Sequence, residues 1–561
     1  MERWLPFLLV LLPSVAAGCL SRPTQWTPDL VASAPGDAKE AGADIPADSG
    51  HELAADLSAD VPAEFSAEVP PETSLPDLTD GVACVPACEG KVCGDDGCGG
   101  QCGECALSLQ CTSFGSCVVP GKECEPGLAP PGTCDAGYVA DTLVNTQVEA
   151  GQCMPDVAST GDGGFVVVWS SCPSCGSSAP RDGDPGSGDE PGQDNAGCGI
   201  FAQLFGPTGQ RIGGEFKVNT TWKKSQFRPT VAGFNGGFGV LWFGWHPGAV
   251  WNLYFQLFDA SGKPMGQETK VTEAPPHENV RAYLAMNDAA QDVAAVWAGE
   301  FVPGGPRVAM TRTFHLDWKE GVVSPTSAPT IVVEPMPNLD WCGATGIDNQ
   351  HYVITWSGDP LEDGQGEDTH VDSYGRILRF DGTPPTFGDE PFLLGMDDSG
   401  WEMSPAVDGQ AAEAGTGFAA AYTQAFRIRL RYFPEGDLEP PVELLVADDA
   451  AHTVDRPDVA LASDGSIMVV WQRSPEVEDV SQEWGVFGRV YGPDLEPKGD
   501  EVHVNHYVPE EQYGARVAAR AGGGFAVVWQ SCFNQDGGGG CGIFAQAFGP
   551  DGKKLPLAAN P

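Results

Sequence analysis

One stretch recurs almost unchanged. Gly163-Gly164-Phe165-Val166-Val167-Val168-Trp169 is followed, after a long loop, by Cys198-Gly199-Ile200-Phe201-Ala202-Gln203 and then Gly206-Pro207-Thr208-Gly209. It returns 360 residues later as Gly523-Gly524-Phe525-Ala526-Val527-Val528-Trp529, with Cys541-Gly542-Ile543-Phe544-Ala545-Gln546 and Gly549-Pro550-Asp551-Gly552 behind it. Copies this similar and this far apart are one supersecondary unit used repeatedly, each unable to bury its apolar face alone. Five weaker copies lie between them: Phe238 to Trp242, Val293 to Trp297, Tyr352 to Trp356, Phe418 to Tyr422 and Ile467 to Trp471. The final aromatics of the seven runs are 49 to 73 residues apart. A short run such as Pro229-Thr230-Val231-Ala232 or Pro457-Asp458-Val459-Ala460 precedes each aromatic-ended run. A variable loop, a strand such as Leu253 to Phe258, a Gly turn and a last strand such as Glu215 to Asn219 follow. β-branched and aromatic runs punctuated by 73 Gly and 48 Pro predict an all-β chain.

Four strands per repeat and seven repeats resemble a β-propeller. The Gly-Gly-Phe-Val-Val-Val-Trp and Ile-Phe-Ala-Gln motifs also resemble the propeller repeats of secreted bacterial proteins. The resemblance implies a seven-bladed ring over 141–561, with residues 141–147 as the outer strand of blade 7. Asp141-Thr142-Leu143-Val144-Asn145-Thr146-Gln147 matches Glu215-Phe216-Lys217-Val218-Asn219-Thr220, the last strand of the first repeat. The rival for that slot is Leu555 to Asn560. A ring removes the sheet edges that a linear array exposes, and a row of sandwiches would need about 100 residues per unit.

Ahead of the repeats, residues 1–18 read as an export signal: Arg3, the apolar run Leu5 to Leu12, then Ala16-Ala17-Gly18 before Cys19. Small residues before a Cys resemble a bacterial lipobox, which implies acylation of Cys19; an ordinary signal peptide cut near Ala17 is the alternative. No other run reaches the ~18 apolar residues of a membrane-spanning helix, so lipid at Cys19 is the expected anchor. Leu20 after the Cys implies the outer membrane by the same resemblance. Residues 19–83 hold an acid at every fourth position from Asp44 through Glu72, with Pro46, Pro62, Pro70 and Pro71 among them. Like charges at i,i+4 repel and Pro breaks a helix, so an extended, disordered tether is expected.

Residues 84–136 carry Cys84, Cys88, Cys93, Cys98, Cys102, Cys105, Cys111, Cys117, Cys124 and Cys134. In an exported chain this density predicts a disulfide module, its pairing open; zinc at Cys102-x-x-Cys105 is the alternative. The run from Cys84 to Cys105 resembles a Cys-rich module of myxobacterial-type surface lipoproteins, which implies a surface location and no activity.

A net charge of −48 excludes nucleic acid as a partner, since phosphate contact needs clustered Lys and Arg. Most insertions fall between second and third strands: Ser170 to Gly197, Ser357 to Tyr374, Ser474 to Glu483 and Gln530 to Gly540. In a propeller these share one face with the links between blades, and loops held by a rigid scaffold are where binding residues gather. Binding or adhesion to a protein or glycan through that acidic face is the expected role. Cys172 and Cys198 occupy the positions of Cys532 and Cys541, so each pair is expected to close its own loop, and Cys153 is placed to join Cys175. Asp182, Asp184 and Asp189 alternate through a Gly-rich loop as calcium ligands do, without the Glu that closes a helix-loop-helix site.

No His-Glu-x-x-His, Gly-x-Ser-x-Gly or phosphate-loop motif occurs, and no catalytic residue is assigned. The alternatives to binding are an extracytoplasmic hydrolase or lyase working at the propeller axis and a structural envelope component. Convergent carboxylates, His or Tyr at the axis would favour the enzyme; small apolar residues there would favour the binder.

Overall fold

The computed structural model describes residues 139–558 apart from loop segments, the longest at 174–192, 359–370 and 475–483, together with two short strands. Those strands, Gln110–Cys111 and Cys117–Val118, form an antiparallel ladder with Cys111 opposite Cys117. Cys19, the tether, the remaining cysteines of the module and Asp182, Asp184 and Asp189 lie outside the described residues.

Seven small antiparallel sheets stand in a ring, making a seven-bladed β-propeller. The innermost strands of blades 1 to 7 are Gly151–Ser159, Gln226–Phe234, Glu278–Asn287, Asp340–Gly346, Glu402–Gly409, Val454–Leu461 and Gln512–Ala519. Within blades 1 to 6 the strands run outward in chain order, and each innermost strand packs on the next, blade 7 on blade 1 included. The aromatic-ended runs are the second strands. Trp169, Trp242, Trp297, Trp356, Trp471 and Trp529 are at most 1% exposed, as is Tyr422 at the blade 5 position. A strand covered on both faces must be apolar on both, which is why these runs show no alternation.

Apolar clusters fill the gaps between neighbouring blades. Ala158, Val166 and Val168 of blade 1 meet Val231, Val240 and Trp242 of blade 2, and Val527 and Trp529 of blade 7 meet Val470 and Val486 of blade 6. Two polar devices recur in blades 1, 2 and 7. The indole Nε1 of Trp169, Trp242 and Trp529 donates to Gln152, Gln226 and Gln512 at 2.8, 3.2 and 3.1 Å. Gln203, Gln256 and Gln546 each donate to the carbonyl of the following residue, all at 2.9 Å. They also reach the outermost strand, at Ile212, Met265 and Leu555. That bond gives the Gln of the Ile-Phe-Ala-Gln motif its reason: it satisfies carbonyls where the third strand meets the outermost one. Blades 3, 4 and 5 place Arg312, Arg376 and Arg431 in that register instead. These guanidinium groups cross to carbonyls of the preceding blade, at Val271, Val332 and Leu394.

Two segments share the outer slot of blade 7. Thr142–Leu143 pairs with Phe544 and Ala545, and Lys554–Leu555 pairs with Ala547 and Phe548 on the same third strand. The contacts of an ordinary blade repeat across this seam. Asn145 Oδ1 accepts from Ile543 N at 2.8 Å, as Asn219 Oδ1 accepts from Ile200 N at 2.9 Å. Thr146 donates to Glu215 of blade 1, as Thr220 donates to Glu268 of blade 2. Arg211 adds a bond to Val144 O at 2.8 Å.

Candidate functional site

Every innermost strand carries an irregularity in its pairing with the second strand. Met154, Arg228, Ser404 and Arg456 sit there with φ of 56°, 53°, 56° and 54°, and blade 7 uses Gly514 at 68°. A left-handed non-Gly residue costs energy; the same strain in four blades marks a bulge, which re-aims the residues after it. Those residues face the axis.

The bulge fixes which side chain arrives there. Asp156, Thr230, Tyr283, Asp458 and Arg516 each lie opposite the residue just before a buried Trp: Val168, Leu241, Val296, Val470 and Val528. Blade 4 puts Gly343 at this level, opposite Thr355. Blade 5 puts Ala406 there and brings in Asp408 two residues later. Together with Thr345 these residues, Ala406 excepted, line a cavity of about 320 Å³ on the axis. Its walls run from the bulges to the strand ends at Ser159, Gly346, Gly409 and Ala519, toward the turns that join first and second strands. The long insertions belong to the opposite face. Gly233 is needed where blade 2 crosses blade 1, because a Cβ there would stand 1.6 Å from Ser159 O.

Three carboxylates work as clasps between blades. Asp156 Oδ2 accepts from Thr230 Oγ1 at 2.9 Å and Val231 N at 2.8 Å. Asp458 Oδ2 accepts from Val517 N at 2.8 Å. Asp408 Oδ2 accepts from Leu461 N at 2.9 Å, while its Oδ1 accepts from Gly409 N and Thr345 Oγ1. Each clasp runs from one blade to the next and uses an N–H on the free edge of an innermost strand, which has no neighbour on its axial side.

Burial raises all three acids. Asp408 is pushed up to about 6 and Asp458 to about 7, the nearby Asp156 and Asp408 adding to burial and Arg516 opposing it. Asp156 is raised as well, chiefly by burial. For Arg516, burial works against the charge, yet Asp458, Tyr283 and Asp156 hold its pKa above the ordinary value. Among the described residues Arg516 nonetheless makes no hydrogen bond, and no carboxylate oxygen lies within 4.0 Å of its nitrogens. A cation ringed by acids, with its donors unused, therefore faces the cavity.

The sequence-derived sites divide sharply. Cys172–Cys198 and Cys532–Cys541 are disulfides, each closing the loop between second and third strands. Cys153 is disulfide-bonded, and Cys175 lies outside the described residues. Among the described residues no group of three His, Cys, Asp or Glu is arranged to hold a metal ion. The axial cluster is not among the sequence expectations, although the sequence carries a signal for it: the second position of the run before each aromatic strand reads Asp, Thr, Tyr, Gly, Ala, Asp and Arg from blade 1 to blade 7, while the residue after it is Val in five of the seven.

No protein-family model matches the chain, and no curated protein sequence matches it. Among solved structures, a polysaccharide lyase acting on ulvan aligns over 74% of this chain and 96% of its own, at 11% identity and a TM-score of 0.42. An α-L-arabinanase of Penicillium chrysogenum, complexed with arabinobiose, aligns over 64% and 99%, at 10% identity and 0.40. The Dos1 propeller aligns over 75% and 96%, at 10% identity and 0.34.

Proposed function

We propose that this chain is a cell-envelope binding protein, lipid-anchored through Cys19 at the outer membrane and extended by its acidic tether. Its propeller head takes a small polar ligand, or the end of a larger one, into the axial cavity. The observation that carries the reading is Arg516: a half-buried guanidinium with unused donors, in a cavity at the low end of the roughly 300–1,000 Å³ usual for ligand sites. A propeller that needed only a filled axis would close it with small apolar side chains, which cost no desolvation.

A thermal-shift screen of small polar compounds against the full chain tests this. Stabilisation of the wild type that vanishes in Arg516→Ala supports the cavity as the site; stabilisation retained by that variant refutes it. The face with the long acidic insertions is the second surface proposed for a protein or glycan partner, and calcium at Asp182, Asp184 and Asp189 belongs to that proposal.

A second reading, a hydrolase or lyase, is favoured by the convergence of acids and a tyrosine. Asp458, with its pKa near 7, is half protonated at neutral pH and able to give or take a proton. Turnover of a bound compound that fails in Asp458→Asn, with binding kept, would select it.

A further inference from the structure

We infer that the ligand of the axial cavity is neutral and rich in hydroxyl groups, the end unit of a saccharide being the class that fits; this rests on the cavity reading above. The argument is one of charge and of unused hydrogen-bonding capacity. Arg516 offers donors only. Asp458 and Asp156, from the blades on either side of it, offer acceptors, and both interact with its charge from beyond ion-pair distance. Val517 N takes one Asp458 oxygen and leaves the other toward the cavity, whereas Asp408 has both oxygens engaged by Leu461 N, Gly409 N and Thr345.

An anion would satisfy Arg516 but has no proton to give the Asp458 and Asp156 oxygens, and it would be repelled by the ionised fraction of those acids. An amine would satisfy the acids and meet Arg516 at close range. Like-charge contact in a buried site costs more than it does in water. A hydroxyl both donates and accepts, so neighbouring hydroxyls on one ring can accept from the guanidinium and donate to Asp458 and Asp156 without bringing charge. Tyr283 beside them supplies ring surface for the apolar face of such a ligand.

The test is titration calorimetry on the full chain at neutral pH with three sets of probes. Glucose, galactose, arabinose and maltose are neutral; glucuronate, acetate and phosphate are anionic; glucosamine and putrescine are cationic. One-to-one binding of a neutral sugar, weakened about tenfold or more in both Arg516→Gln and Asp458→Asn, supports the inference. Tighter binding of an anionic or cationic probe, lost in Arg516→Gln, overturns it while leaving the cavity as the site. If no probe binds, or a sugar binds both variants as it binds the wild type, the inference and the cavity reading fall together. Should Arg516→Gln not fold, Asp458→Asn decides, because the amide keeps an oxygen for Val517 N.

Discussion

Asp458→Asn should make this protein more stable in alkali. The Asp458 carboxyl goes from an ordinary 3.8 to about 7 on folding, because burial penalises its charge, with Asp156 and Asp408 adding and Arg516 and the Val517 N–H opposing. An acid whose pKa is higher folded than unfolded holds its proton more tightly in the folded state. Its contribution is therefore intact at low pH and is lost as pH rises from 3.8 through about 7. At about 1.4 kcal/mol per pH unit, that interval costs the ionised protein about 4 kcal/mol. Asparagine has the same shape, keeps an oxygen for the 2.8 Å bond from Val517 N, and never ionises. The variant should match the wild type near pH 4 and exceed it by up to about 4 kcal/mol at pH 8. Urea unfolding followed by the fluorescence of the buried tryptophans, with disulfides intact, measures both curves. Some slope should persist in the variant, because Asp408 and Glu402 are raised to about 6 and about 7. Parallel curves, or a variant less stable at pH 8, would refute the assignment of a buried, mostly uncompensated carboxyl at the axis.

At the ring seam, Asn145→Ala should cost about 1–3 kcal/mol by stranding the buried Ile543 N–H, and Asn219→Ala should cost the same in blade 1; unequal losses in denaturant unfolding would mean the seam is weaker than an ordinary blade. Trp169→Ala should cost about 3–5 kcal/mol, since it empties a fully buried site and strands Gln152; a loss below about 1 kcal/mol would contradict its place in the core. Reduction should destabilise the head by about 3.5 kcal/mol for the 26-residue separation of Cys172–Cys198 and about 2.6 kcal/mol for the 9 of Cys532–Cys541, measured as separate Cys-to-Ser pairs. Glu402→Gln should flatten the stability curve between pH 4.5 and about 7, because burial raises the carboxyl to about 7; an unchanged slope would sink it.

The repeat alone determined the architecture. A second strand reading Phe-Val-Val-Val-Trp must be covered on both faces, and only a blade flanked by two others offers that to every copy, so strand count and closure follow from residues such as Trp169 and Asn145. Residue spacing also shows why Cys172 and Cys198 meet, because pairing of the second and third strands brings Cys172 beside the start of Gly199–Phe205.

What stood outside the sequence is the axis. Asp156 and Arg516 are 360 residues apart. Their approach depends on bulges at Met154 and Gly514 and on the ring bringing blade 7 back to blade 1. Local propensity acts over a few residues, whereas a charge is felt through space. Which acid lies near which cation, and which guanidinium keeps its donors unused, is therefore set by the closed fold.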